Sequence, residues 1–340
     1  MALLACLAVA AAPLWPAAAG LAAAFVRVVL PIEQTMLLVV PALAACAAVG
    51  WWRGGRLVLL LAWAALAVWV VAAPLPAQAG SYPTLARGWA LLVAAAFGIV
   101  GVVAPGRAFF PRALSALGLA FGVALAALLA ADRDPGRLAR VMAAEHGRRV
   151  EASLAAWRRH AEADGWQRIA ARSPELAERA EATVSALRAL PPVSAMLTPA
   201  LAALEALAAL ALAWSLYHRL SRARLGPPLG ALRQFRFNDQ LVWGVVAGAA
   251  MLLVPSLAPL RVVGANLLAF FGALYALRGL GVLRWWAPER WAALAALGVA
   301  LLLPVLGVAL LAATLGVVAL LLGLGDTWQD WRNRPPRPTA

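Results

Sequence analysis

The feature that most constrains this chain is a series of long apolar stretches without charge, such as residues 57–74 and 113–131. A helix rises about 1.5 Å per residue, so about 20 apolar residues match a hydrocarbon core about 30 Å thick. Hydrophobic residues make up 64% of the chain and charged residues only 13%, which is too much apolar surface for a soluble protein to bury. Helices also satisfy their own backbone hydrogen bonds in lipid, and the alternation of a β-barrel is missing. We therefore predict an all-α fold, a polytopic bundle of transmembrane helices.

The apolar stretches predict about ten spans, and the pattern is compatible with eight to ten. The first eight are 3–24, 28–49, 57–74, 88–104, 113–131, 193–217, 240–258 and 262–283. The last stretch, 291–324, is too long for one simple span and contains Pro304, which removes a backbone donor and clashes with the preceding turn. A break there gives two short helices, 291–304 and 306–324, and the sequence leaves open whether the stretch spans once or twice.

These spans divide the chain into four segments. We expect a transmembrane bundle of five spans at 1–131, a hydrophilic helical insertion at 132–191, a second bundle of about five spans at 192–325, and a tail at 326–340.

The distribution of arginine predicts how the spans are oriented, because arginine accumulates in short cytoplasmic loops. All 29 basic residues are arginine, and the loop 218–239 contains five of them against a single acid. If this loop is cytoplasmic, the arginines at 53 and 56, at 107 and 112, and at 284 and 290 also fall inside. We therefore expect a bacterial cytoplasmic (inner) membrane protein with both termini in the cytoplasm and the insertion outside.

The insertion 132–191 is nearly balanced in charge, with 11 arginines and 9 acidic residues. Asp164 and Gly165 divide it into two helical stretches, and the second begins favourably with Ser173 and Pro174. Apolar residues recur at near-helical spacing in the first stretch: Leu138, Val141, Val150, Leu154 and Trp157. The segment is either a solvated helical hairpin or a hairpin that packs one face on the membrane domain or on a partner.

Glu205 is the most informative polar side chain, because it falls in the middle of the predicted span 193–217. An ionised carboxylate there costs several kcal/mol unless it is paired or hydrated. It is either a contact for a cation, a proton or the amine of a solute, or a protonated group bonded to a neighbouring helix. Glu33, Gln34 and Asn266 lie at the outer ends of their spans and either converge with Glu205 on a polar cavity or are solvated helix ends.

Other polar residues form no recognisable catalytic or cofactor site. The absence of lysine excludes a P-loop and a lysine Schiff base, and the three histidines are isolated from the two cysteines. Asp326 and Asp330 share one helical face, but an ion pair of Asp330 with Arg334 explains that spacing better than catalysis. The arginines are scattered between apolar stretches, so nucleic acid is not an expected partner. We expect no enzyme activity, no cofactor and no metal.

Four motifs stand out in the C-terminal half: "QFRFNDQLVWG" at 234–244, Asn266-Leu267-Leu268, the predicted turn "RGLGVL" at 278–283, and the ending "LLGLGDTWQDWRNR". Through these motifs the C-terminal half resembles the bacterial membrane protein family typified by YybS. That family is in turn distantly similar to the substrate-capturing components of energy-coupling-factor transporters. The resemblance implies an outward-facing solute pocket and a cytoplasmic energising partner. That partner would dock either on the tail or on the loop 218–239, through Arg222, Arg224, Arg233 and Arg236.

The sequence therefore leads to two hypotheses about function. The first is a non-enzymatic membrane component for solute binding or transport, based on Glu205 and the family likeness. The second is a structural or scaffolding protein of the cell envelope, whose outer hairpin and arginine-rich loop recruit partners. Associated proteins distinguish them, because a co-purifying ATPase pair supports the first hypothesis and envelope-synthesis proteins support the second.

Overall fold

A computed structural model describes residues 30–32, 34–74, 81–130, 135–163, 165–221, 223–286 and 313–333. Within these ranges the protein is all-helical, as predicted, and has no β-strand. The chain forms two compact units, unit 1 at 1–229 and unit 2 at 230–340. The predicted span 3–24 and the break at Pro304 lie outside the described residues.

The α-helices follow the apolar stretches closely but differ at their ends. In unit 1 they are α1 (Thr35–Trp52), α2 (Leu57–Ala72), α3 (Tyr82–Val103), α4 (Phe109–Ala130), α5 (Pro135–Ala163), α6 (Trp166–Arg172), α7 (Pro174–Met196) and α8 (Thr198–Leu220). In unit 2 they are α9 (Val242–Leu253), α10 (Arg261–Trp286) and α11 (Ala313–Gln329). The predicted turn at 278–283 is wrong, because these residues belong to the continuous helix α10.

Five helical segments are long and apolar enough to cross a membrane: Thr35–Trp52, Tyr82–Val103, Phe109–Ala130, Thr198–Leu220 and Pro255–Trp286. Large apolar side chains on their outer faces are exposed, and Val103 is 77% exposed. The shorter helix α2 has the same character, with Trp69 71% exposed. Exposed apolar helix faces of this kind are expected where lipid rather than water surrounds the protein.

Helix α1 is the centre of unit 1, where it packs against α2, α3 and α8. Its side chains are buried on all sides, which explains why its sequence has no polar face. The core next to it is aromatic, because the ring of Trp214 lies 6.0 Å from that of Phe97 and 5.8 Å from that of Phe109. Trp214 is completely buried.

The insertion extends further along the chain than its polar composition indicates. Helix α7 continues through Pro191 and Pro192 to Met196, although prolines inside a helix remove backbone hydrogen bonds. Leu187, Pro191, Ser194 and Ala195 are buried on one face of this helix, so tertiary packing offsets the loss. The predicted span that starts at 193 consequently begins only at Thr198.

Unit 2 is held together by close approaches of helix backbones. Helix α9 packs on α10, and a Cβ atom at Gly248 would lie 2.9 Å from the carbonyl oxygen of Gly264. Helices α10 and α11 cross even more closely, because a Cβ at Gly279 would overlap the carbonyl oxygen of Ala319. In the same way a Cβ at Gly323 would overlap the carbonyl oxygen of Tyr275. Glycine at this crossing allows backbone contact between two helices, as small residues do in membranes.

Substitution of Gly279 by alanine should destabilise unit 2, because the added methyl group forces α10 and α11 apart. We expect Gly279→Ala to lower the unfolding free energy by about 1–3 kcal/mol, measured by thermal or denaturant unfolding in detergent. The matched control is Gly272→Ala in the same helix, where a Cβ meets no atom within 4 Å. The control should be neutral or slightly stabilising. Equal stability of the two variants would contradict the crossing.

Candidate functional site

Glu205 is buried in unit 1, with 7% of its surface exposed. Its Oε2 accepts a hydrogen bond of 2.9 Å from the backbone N–H of Ile32. Its Oε1 is also buried and has no hydrogen-bond partner in the described part of the chain. The helix around it offers only apolar neighbours, because Ala202, Ala206 and Ala209 are buried as well. This carboxyl group is therefore only half satisfied, which is costly in an apolar environment.

The segment 30–32, which precedes α1, is held by side chains from three different helices. Tyr82, at the start of α3, donates its hydroxyl to the carbonyl oxygen of Pro31 at 2.6 Å. Arg149, in α5, donates to the carbonyl oxygens of Leu30 at 2.7 Å and Pro31 at 3.3 Å. Together with the bond from Ile32 to Glu205 in α8, these contacts satisfy non-helical backbone groups that would otherwise be unpaired.

Arg149 brings the hydrophilic insertion to the same place as Glu205. The residue is 6% exposed, and its Nε forms an ion pair of 3.0 Å with Glu145 Oε1. Its guanidinium also lies over the ring of Tyr82, 4.7 Å from the centroid. The positive charge of Arg149 is near enough to interact electrostatically with the carboxyl group of Glu205. The candidate site thus combines a half-satisfied carboxyl group with a buried guanidinium that is already engaged by backbone carbonyls.

The insertion has its own small core next to this site. Val150 and Leu154 of α5 pack with Leu187 of α7. One turn before Val150, the Nδ1 of buried His146 lies 2.6 Å from Ser194 Oγ, which also donates to the carbonyl oxygen of Pro191. The apolar face of α5 is therefore closed by α7, and Arg149 on the same helix contacts residues 30–31. This arrangement is a packed hairpin rather than one solvated on all sides.

The predicted polar companions of Glu205 lie in different places. Gln34 lies two residues after Ile32, which binds Glu205 through its backbone N–H. The side chain of Gln34 is exposed and does not contact the buried carboxyl group. Glu33 lies outside the described residues. Asn266 belongs to unit 2, where its Nδ2 donates to the carbonyl oxygen of Val262 at 2.8 Å.

The predicted docking arginines are divided between the two units. Arg222 lies outside the described residues. Arg224 is exposed at the end of unit 1, and Arg233 is exposed in unit 2. Arg236 forms an ion pair of 2.7 Å with Asp330 instead of presenting its charge alone. The predicted pairing of Asp330 with Arg334 involves a residue that is not described.

Unit 2 contains a buried ion network that sequence reasoning missed. Arg278 is 2% exposed, and its Nε lies 2.9 Å from Oδ2 of the fully buried Asp326. Arg332 binds the same Asp326 oxygen at 2.6 Å, and Arg278 Nη1 reaches the exposed Asp239 at 2.5 Å. Two arginines and two aspartates thus neutralise one another, and the backbone crossing of α10 and α11 brings them together.

This network joins three of the motifs that carry the family likeness. Asp239 lies in the first, Arg278 opens the "RGLGVL" motif, and Asp326 and Arg332 lie in the final one. One signal could have revealed it: Arg278 falls inside a predicted span, where an unpaired charge is as costly as that of Glu205. The network fits a structural role better than a catalytic one, because each of its charged side chains is already paired with an oppositely charged side chain.

His146 should make the stability of the protein depend on pH. Burial, with repulsion from Arg149, lowers the pKa of His146 from 6.5 to about 4. The unfolded chain therefore binds more protons between these values, and stability falls as the pH drops from about 6.5 towards 4. We expect the unfolding free energy to fall by about 2 kcal/mol between about pH 7.5 and 5. Unfolding of wild type and His146→Asn across this range checks it, since the variant should lose this slope.

Removal of one member of the unit 2 network should be costly. We expect Asp326→Asn to lower the unfolding free energy by about 3–5 kcal/mol, because Arg278 stays buried with only an exposed carboxylate to neutralise it. Asp330→Asn is the matched control, since the Asp330 side chain is 51% exposed and its ion pair contributes about 1 kcal/mol or less. Denaturant unfolding in detergent measures both. A loss of similar size in the two variants would contradict the buried network.

Comparison with protein-family models, with characterised proteins and with solved structures finds no match to this chain. The resemblance to the YybS family therefore stays a prediction. The geometry of the two sites is the basis on which function can be argued.

Proposed function

We propose that this chain is a non-enzymatic membrane component for solute binding or transport, and that Glu205 is its ionisable group. The observation that carries the proposal is the buried Oε1 of Glu205, which has no partner in the described part of the chain. A carboxyl group in that condition takes up a proton, a cation or the amine of a solute more readily than one with all its hydrogen bonds made.

The surroundings of Glu205 also fit a group that changes its charge. Oε2 is held by the N–H of Ile32, whereas the buried Oε1 has no hydrogen-bond partner in the described part of the chain. Arg149 interacts with Glu205 electrostatically, but it also pairs with Glu145 and binds the carbonyl oxygens of residues 30 and 31. Uptake of a proton or cation at Oε1 therefore leaves the partners of Arg149 in place.

The proposal includes a bacterial cytoplasmic membrane, about ten spans, both termini inside and the insertion outside. Support comes from the two ends of unit 1. The turns that carry Arg53 and Arg112 contact residues 224–225 at one end. Residues 30–32, the start of α3 and Arg149 of the insertion meet at the other end. Arginine-rich connections on one side and the insertion on the opposite side agree with the positive-inside distribution.

Substitution of Glu205 by glutamine tests the ionisable role. The amide oxygen of Glu205→Gln can still accept from Ile32, so the fold should survive while the titratable group is lost. We expect wild-type Glu205 to react with a hydrophobic carbodiimide, which modifies protonated carboxyl groups in membranes, and reaction to increase as the pH falls. Mass spectrometry of peptides from native membranes measures the modification. The matched control is Glu151, whose side chain is 60% exposed and should not react.

Function is tested with the same variant. A strain that lacks the gene should be restored by Glu205→Asp better than by Glu205→Gln, since only the aspartate keeps an ionisable group. Full restoration by a well-expressed Glu205→Gln protein would exclude the proposed role of the carboxyl group.

The insertion supports scaffolding of the cell envelope as a second candidate function. Helices α5, α6 and α7 surround an open cavity of about 540 Å³ with Trp157 and Val184 in its lining and charged residues that include Arg158, Glu162 and Arg188. A packed hairpin held in place by Arg149 is a suitable surface for recruiting a partner.

Purification with associated proteins separates the two functions. A co-purifying ATPase pair, docked at exposed residues such as Arg224 and Arg233, supports transport, and envelope-synthesis proteins support scaffolding.

A further inference from the structure

One end of unit 1 carries a cluster of arginines without any acidic residue. Arg53 and Arg56 lie in the turn between α1 and α2, and Arg107 lies in the turn between α3 and α4. Arg112 lies in the first turn of α4. The sequence contains no Asp or Glu between 34 and 131 or between 206 and 238, so none of the connections at this end supplies a carboxylate. We call these four residues the arginine cluster.

Backbone contacts hold the arginine cluster together. Arg112 Nη2 donates to the carbonyl oxygens of Arg107 at 3.1 Å and Leu225 at 3.0 Å. Arg53 Nη1 donates to the carbonyl oxygens of Arg224 and Leu225, both at 3.3 Å. The turn of Arg107 also touches Gly226, where a Cβ would lie 2.8 Å from the carbonyl oxygen of Arg107. The turns that carry Arg53 and Arg107 therefore meet at the segment 224–226. The positive charges of Arg53 and Arg107 both repel that of Arg112.

The positive charge of the cluster is not neutralised by the described part of the protein. Arg56 and Arg107 are exposed, and their side chains form no hydrogen bond or ion pair with the described residues. Arg112 is 1% exposed and bonds only to carbonyl oxygens, and its Nε is buried without a partner there. Like charges gathered at one end of the unit repel one another, so an anion bound among them would stabilise this end of unit 1. The guanidinium group matches phosphate oxygens in geometry and charge.

The position of the cluster indicates where the phosphate comes from. It lies at the ends of the apolar helices α1 and α3 and the starts of α2 and α4. In the membrane topology proposed above, these helix ends lie at the level of the lipid headgroups. Trp51 and Trp52, next to Arg53, are 44% and 71% exposed, as in an interfacial aromatic belt. Exposed Val58 and Val103 supply apolar surface for acyl chains beside the arginines. We propose that the arginine cluster binds the phosphate group of an anionic phospholipid from the surrounding bilayer.

Native mass spectrometry of the full-length protein, purified with phosphatidylglycerol or phosphatidylcholine, tests this proposal. The test variant is Arg56→Gln/Arg107→Gln, because these two exposed side chains form no hydrogen bond or ion pair in the described part of the chain. The matched control is Arg172→Gln/Arg179→Gln, which removes the same charge from exposed positions of the insertion. Thermal unfolding without added lipid confirms that all three proteins are folded, and inorganic phosphate alone serves as the soluble-anion probe.

We expect the wild type and the control to retain phosphatidylglycerol in preference to phosphatidylcholine and to unfold at a higher temperature when it is present. The test variant should lose about fivefold in relative phosphatidylglycerol affinity for each arginine removed. An unchanged preference in the test variant would overturn the proposal. So would an equal loss in the control, or the same stabilisation by inorganic phosphate, which would assign the cluster to a soluble anion.

Discussion

Charged side chains in unit 1 are bonded mainly to the backbone of the connecting segments, and the arrangement of its helices depends on this. Arg149 binds the carbonyl oxygens of residues 30 and 31, and Glu205 binds the N–H of Ile32. At the opposite end, Arg53 and Arg112 bind carbonyl oxygens at 224 and 225. Non-helical backbone carries unpaired polar groups, which are costly beside apolar helices. One arginine offers five donors, so a few side chains fasten each connection to the helices around it.

In unit 2 the buried charged side chains are paired mainly with side chains of opposite charge. Arg278 and Arg332 share Asp326, and Arg278 reaches Asp239 as well. A buried pair of this kind contributes less to stability than its geometry indicates, but it strongly disfavours arrangements that separate the partners. The crossing at Gly279 and Gly323 has a similar effect, because the two backbones touch where these glycines leave no side chain between them. The two features together define how these helices pair.

Much of the fold could be predicted from the sequence because apolar stretches of this length have few alternatives to helix. The ends were less predictable, as α7 shows by continuing through Pro191 and Pro192 on the strength of its buried face. The cost of a buried charge identified Glu205, and the same argument applied to Arg278 would have indicated the unit 2 network. Arg149 gave no such signal, because it stands among the alternating charges of a segment typical of a solvated helix. Its backbone partners, the carbonyl oxygens of Leu30 and Pro31, are more than a hundred residues away, beyond the reach of helical periodicity.

The bonds around residues 30–32 also affect how the protein is made. Arg149 follows Leu30 by 119 residues, and Glu205 follows Ile32 by 173. During synthesis the segment before α1 therefore enters the membrane long before the residues that satisfy its backbone have left the ribosome. Contacts of such long range form late and slow the folding of a chain. Until α5 and α8 are in place, the polar backbone groups of residues 30–32 therefore lack their partners in unit 1 and have to be hydrated.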